Sequence, residues 1–166
     1  MNKIYGIGLP RTGTASLAEA LKNLGHITNH FCVLHDTHPI EYNHNDIVTL
    51  IDNSFYRQYS KIIRNILFDK DKNSLFILTT RNRYDWYKSI SQFSKLPDDL
   101  PDIDIYTELV KSIFKSIDKE DKLLIINIFE DPKCVKKICE FINVEYSDML
   151  FPHVRRDNNN ILQVKL

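Results

Sequence analysis

Apolar positions along the chain alternate between short unbroken runs and longer stretches with a helical repeat. The unbroken runs cover residues 3–8, 74–80 (SLFILTT) and 123–129 (LLIINIF). Each has the length and continuity of a strand buried on both faces. After the first run the period changes: Leu17, Ala20, Leu21 and Leu24 predict a helix from Thr14 onward, with Gly25 placed to end it. YDWYKSISQF, after the second run, has helical character, and Tyr106, Leu109, Val110, Ile113, Phe114 and Ile117 predict an amphipathic helix. After the third run, Asp131 and Pro132 suit the N-cap and first position of a last helix, with Val135, Ile138, Cys139 and Ile142 turned inward.

The remaining stretches are less regular. Residues 46–69 carry Ile47, Leu50, Ile51, Phe55, Tyr59, Ile62, Ile63 and Ile66, a spacing that predicts one or two helices. Residues 26–45 are rich in His and Asn, with one brief apolar run at 31–34 that reads as a short strand before a long loop. Pro97 and Pro101 mark an acidic loop, and the tail from Tyr146 has no period. Buried strands alternating with helices imply an α/β fold, a parallel sheet covered on both faces, with residues 1–166 as one domain. Ligands bind such sheets beyond the carboxyl ends of the strands. The loops at 8–14, 80–83 and 129–132 should therefore open on one edge.

Composition narrows the chemistry. Among 166 residues, 22 Lys and Arg balance 22 Asp and Glu, so no global field draws the chain to nucleic acid or an anionic membrane. The amino terminus lacks an apolar signal core, and no stretch approaches the roughly 20 apolar residues that span a bilayer. The expectation is a soluble, cytoplasmic protein. Cys32, Cys134 and Cys139 have no Cys-x-x-Cys spacing and read as reduced, mostly buried thiols, and no pair of the six histidines has a recognisable metal-ligand spacing.

The first run passes into its helix through GLPRTGTASL. Gly8 and Gly13 keep the GxxxxG frame in which backbone N–H groups curl around an oxyanion at the positive end of a helix. A loop for ATP or GTP continues with Lys and then Ser or Thr, the hydroxyl going to magnesium. Thr14 and Ala15 stand there instead, and Ala15 ligates nothing. A cation appears earlier, as Arg11, flanked by Thr12 and Thr14, whose hydroxyls and amides suit anionic oxygen. The plainer alternative is a tight strand-to-helix turn with no ligand.

GLPRTGTASL resembles the 5′-phosphosulfate loop of the sulfotransferases that use 3′-phosphoadenosine 5′-phosphosulfate (PAPS), which reads Pro, Lys or Arg, Ser or Thr, Gly, Thr. The resemblance puts Arg11 at the basic position and implies that Pro10, Arg11, Thr12, Gly13, Thr14 and Ala15 hold the phosphosulfate with no metal required. Ala15 departs from the pattern, since many members have a second Thr there. A second signature of that family is an Arg ending a strand and a Ser eight residues later, both on the 3′-phosphate. Arg81 and Ser89 match it, with Asp85 and Trp86 also in pattern, and Arg83 stands beside them as a further contact. Arg offers a planar fork suited to phosphate. Without the resemblance, Arg81 and Asp85 read as a helix-end ion pair and Ser89 as an exposed residue. LFPHVRR is similar to a turn near the end of many members, with Arg155 and Arg156 either over the nucleotide or simply exposed.

The resemblance implies a three-layer P-loop NTPase-like fold with a central, mainly parallel sheet flanked by helices. It also implies transfer of a sulfuryl group to a hydroxyl or amine of a small-molecule or carbohydrate acceptor, releasing adenosine 3′,5′-bisphosphate (PAP). Such a transfer needs a cation on the leaving phosphate, amide donors on the sulfuryl oxygens and a base for the acceptor proton. Arg11 and the amides of residues 12–14 would supply the first two. His30 and Asp52 are the candidates for catalytic roles beside Arg11; Asp52 lies in LIDNSFYRQY, which resembles the family's D.PF...Y stretch, and equally suits bracing a helix. Residues 36–46 and 95–104 are the expected acceptor-facing surface. The alternatives are a P-loop nucleotide or metabolite kinase, disfavoured by the missing Lys and magnesium hydroxyl, and a non-catalytic relative that binds PAP or PAPS.

Overall fold

The structure, a computed structural model, describes residues 4–32, 46–50, 73–92, 100–146, 150–157 and 160–164. Five strands form one sheet: β1 (Ile4–Gly6), β2 (Ile27–Cys32), β3 (Asp46–Leu50), β4 (Leu75–Thr79) and β5 (Leu123–Ile126). Helix α1 (Thr14–Asn23) joins β1 to β2, α2 (Arg83–Ile90) and α3 (Ile103–Lys115) lie between β4 and β5, and α4 (Cys134–Ile142) follows β5. The strand order is β2-β3-β1-β4-β5 and every pairing is parallel. The chain leaves β1 toward β2 and β3 on one side and later lays β4 on the other. β1 is therefore the switch point of the sheet, where ligands bind beyond the strand ends.

Alternation along the strands separates two cores. Tyr5, Phe76 and Leu78 face one side, where they pack with Trp86 and Ile90 of α2 and Tyr106, Val110 and Phe114 of α3. Ile4, Leu75 and Ile77 face the other, against Leu17 and Leu21 of α1 and Val135, Ile138 and Cys139 of α4. The result is an α/β fold of three layers, with helices on both faces of a parallel sheet. Each such side chain contributes about 1.5–3 kcal/mol on burial. A one-residue slip would exchange the two sets, so the register is strongly specified.

Local chemistry fixes the helix ends. The Asn82 side chain accepts from the N–H groups of Tyr84 and Asp85 at the start of α2, and Asp102 accepts from those of Asp104 and Ile105 at the start of α3. Each cap stabilises its helix by about 1 kcal/mol. α4 ends on Asn143 in the left-handed conformation, φ 57°.

Four expectations are corrected. Residues 46–50, expected to open a helix, form β3. Five residues with apolar side chains at 47, 48 and 50 fit either period, and the β-branched Ile47, Val48 and Thr49 favour a strand. The last helix starts later than expected: Lys133 is its N-cap, while Asp131 accepts from the Lys133 N–H in the turn before it. The tail forms an antiparallel hairpin of β6 (His153–Asp157) and β7 (Asn160–Val164). Ile103 and Asp104, expected in the acidic loop, begin α3. Among the described residues no helix is long and apolar enough to cross a membrane.

Candidate anion site

The loop leaving β1 is built around two positions where a side chain would not fit. A Cβ on Gly8 would stand 2.0 Å from Thr79 Oγ1 and 2.6 Å from Thr12 Oγ1. A Cβ on Gly13 would stand 2.2 Å from Ile128 Cδ1, and Gly13 adopts φ 92°. Arg11 is also left-handed, at φ 69°, an arrangement that costs a non-glycine residue about 1–2 kcal/mol. Gly13 is the N-cap of α1 and its carbonyl accepts from Leu17 N–H at 2.9 Å, and no side chain among the described residues caps this helix end. The first N–H groups of a helix have no partner within it, and with the macrodipole behind them their natural acceptor is an anion.

The loop after β4 meets the loop after β1. Arg11 Nε donates to Ser89 Oγ at 2.9 Å, and Arg81 Nη1 donates to the Arg11 carbonyl at 3.3 Å. Trp86 Nε1 donates to the Pro10 carbonyl at 2.9 Å. The Arg81 guanidinium lies 4.4 Å from the centre of the Phe129 ring, from the loop after β5. Its Nε is buried without a hydrogen-bond partner among the described residues. Burial draws the Arg81 pKa below its ordinary value; Asp85 opposes this and the neighbouring Arg11 adds to it. Arginine remains a cation across the physiological range. Two cations are thus held together beside the amino end of α1.

The three loops at 8–14, 80–83 and 129–132 do converge on one edge of the sheet. Ser89 is buried, at 8% exposure, and bonded to Arg11, so the exposed-residue reading fails. Thr12 turns its hydroxyl inward, to the Leu9 carbonyl at 2.6 Å and to Thr79 Oγ1 at 2.7 Å, and is therefore a brace of the loop. Arg83 is committed to the acidic segment, 2.8 Å from Asp102 and 3.8 Å from Asp104. Thr14 opens α1 as a buried residue and Ala15 follows it. His30 lies on β2 opposite Thr49 of β3, with β3 between it and β1. Asp52 lies outside the described residues. Arg155 and Arg156 lie on β6, whose first residue, His153, has its ring 6.0 Å from that of Phe129.

Three partners in this site carried little or no sequence signal. Thr79 stood out only as a polar residue inside a buried run, Phe129 as one more apolar residue, and the indole N–H of Trp86 had no assigned acceptor. Ile103 and Asp104, from the expected acceptor-facing segment, line a groove of about 410 Å³ that Arg81 and Thr80 also border. Cys134 and Cys139 are buried free thiols, and burial pushes both up in pKa, away from reactivity.

Comparison with known proteins finds no match among curated proteins. Residues 3–70 match a family model described as a sulfotransferase domain. That span takes in β1, the anion loop, α1, β2 and β3, and stops short of Arg81 and Ser89, which the fold joins to it. That match makes the amino-terminal part of the chain similar to a sulfotransferase domain, and the α/β sheet that frames the loop is consistent with it.

Proposed function

We propose that this protein transfers a sulfuryl group from PAPS to a hydroxyl or amine of a small-molecule or carbohydrate acceptor, as one domain and without a metal. The observation that carries this reading is the contact between two anion-binding motifs some 70 residues apart in sequence: Arg11 on Ser89, and Arg81 on the Arg11 carbonyl. A nucleotide with anionic groups at both its 5′ and 3′ ends answers two adjacent cations and a buried guanidinium N–H with no partner among the described residues better than a 5′-phosphate alone. PAPS is such a nucleotide, and it supplies an activated sulfuryl group.

In this reading Arg11 and the first N–H groups of α1 hold the 5′ phosphosulfate and stabilise the charge that builds on the leaving phosphate. Arg81 and Ser89 hold the 3′-phosphate. His30 or Asp52 takes the acceptor proton. Ala15, where a magnesium-binding loop has a hydroxyl, supports nucleotide binding without that ion.

The test is calorimetric titration of PAP, ADP and ATP, each with and without magnesium, on the wild-type chain and on Arg81→Ala. Wild type should prefer PAP irrespective of magnesium. Arg81→Ala should lose roughly 10- to 100-fold in PAP affinity, the worth of a hydrogen-bonded charge pair, and far less in ADP affinity, where only its grip on the Arg11 carbonyl is lost. Preference for magnesium–ATP would move the protein to the kinase reading. Equal losses for PAP and ADP would remove Arg81 from the 3′-phosphate.

A further inference from the structure

Three consecutive carbonyl oxygens of the anion loop, those of Leu9, Pro10 and Arg11, each accept from a side chain. Leu9 O accepts from Thr12 Oγ1 at 2.6 Å, Pro10 O from Trp86 Nε1 at 2.9 Å, and Arg11 O from Arg81 Nη1 at 3.3 Å. Behind Thr12 stands Thr79, hydroxyl to hydroxyl at 2.7 Å. A carbonyl only accepts, so the Thr12 proton points to Leu9 O and the Thr79 hydroxyl must donate to Thr12. The result is a one-directional relay from the end of β4 into the loop, and hydrogen bonds in series strengthen one another in a dry interior. Thr12, Thr79 and Trp86 are all at most 1% exposed, so water cannot replace a lost partner. Gly8 belongs to the same arrangement, since its missing Cβ is what leaves room for the two hydroxyls.

These bonds have one geometric effect. A trans peptide is planar, so fixing a carbonyl fixes its plane and the direction of the next N–H. A loop whose function is to present N–H groups is thus shaped by what grips its carbonyls. Among the described residues, the carbonyls of Pro10 and Arg11 are gripped from Trp86 and Arg81, and Thr79 stands behind Thr12, so these grips come from residues 79–86, the segment that leads to Ser89.

We propose that Thr79 and Trp86 are positioning residues: together with Arg81 they clamp the carbonyls of the anion loop after β1 and give it its anion-binding shape. The clamp itself is independent of ligand identity, and its consequence for nucleotide binding rests on the sulfotransfer reading above. Thr79→Val removes the relay donor at nearly constant volume, Thr79→Ser keeps it, and Trp86→Phe removes the indole N–H while leaving a ring in the core.

The first measurement is amide hydrogen exchange in the ligand-free chain. Thr79→Val should raise exchange across residues 9–15 roughly tenfold, about the worth of one buried hydrogen bond, and Thr79→Ser should restore it. Wild-type exchange in Thr79→Val would overturn the clamp. The second is titration with PAP and with adenosine 5′-phosphosulfate, which lacks the 3′-phosphate. Thr79→Val and Trp86→Phe should weaken both by the same factor, roughly tenfold, at a stoichiometry near one. A merely structural role would lower the melting temperature and the stoichiometry while leaving affinity intact, and that outcome overturns the proposal, as does a loss confined to PAP. If Trp86→Phe does not fold, Thr79→Val decides. Failure of the wild type to bind either nucleotide would sink the sulfotransfer reading, with the exchange result still deciding the clamp.

Discussion

Helix α1 begins and ends on a left-handed glycine, and the two ends do opposite things. At the carboxyl end Gly25 has φ 85°, its N–H reaches Lys22 O at 2.9 Å, and the His26 N–H reaches Leu21 O at 3.0 Å. These paired bonds are the Schellman motif, in which the chain satisfies its own last carbonyls. A Cβ on Gly25 would meet nothing within 4 Å. At the amino end Gly13 has φ 92°, its Cβ position is blocked by Ile128, and no side chain among the described residues caps the helix. One end is closed by the backbone and open to solvent; the other is packed from behind against Ile128. The same residue type therefore marks a local stop in one place and the proposed anion loop in the other, and packing tells them apart.

The comparison breaks most visibly through Arg11, the cation at the open end. Arg11→Ala should lower sulfuryl transfer about 100- to 1,000-fold, the usual loss when one donor to developing charge is removed, with a smaller effect on PAP affinity. Unchanged transfer would take Arg11 out of that role. Next come the two glycines. Gly13→Ala adds left-handed strain of about 1–2 kcal/mol and overpacking of about 1–3 kcal/mol against Ile128, for a loss of roughly 2–5 kcal/mol. Gly25→Ala meets the strain alone, partly offset by a stiffer unfolded chain, so about 1 kcal/mol or less should be lost. Denaturant midpoints compare the two directly, and equal losses would show that Ile128 yields and that crowding does not distinguish the ends.

Both ends of α1 were legible in the sequence because they rest on local backbone chemistry: a GxxxxG frame opens the helix at Thr14, and a glycine after the last apolar repeat closes it. β1, β4 and the inward faces of α3 and α4 were legible for the same reason, since unbroken runs and helical repeats report burial directly. Contacts between distant segments were not. Nothing in the spacing of Thr12 says that its hydroxyl turns toward Thr79 rather than toward an anion; that follows from β4 lying beside β1. β3 was missed because five residues are too few to separate a period of two from one of three to four. The hairpin was missed because HVRRD carries charge where a clear strand would alternate. Leu109, read as an inward residue of α3, is 44% exposed, for the repeat gives the stripe but not where its edge falls.

The smallest effect lies at the closed end. His26 follows Gly25 and is 9% exposed, and burial lowers its pKa below the ordinary value. Below about pH 6.5 the unfolded chain binds a proton at this site that the folded chain takes up only at lower pH. With more protons bound in the unfolded state, stability rises with pH through that window; the contribution is complete above about pH 6.5 and is lost as pH falls through the folded pKa. His26→Gln removes the titration while keeping a polar side chain, so unfolding free energy between about pH 5 and 6.5 should fall less steeply than in wild type, by less than one proton's slope. A slope identical to wild type would mean that His26 titrates as though exposed, and that its burial beside Gly25 does not reach the imidazole.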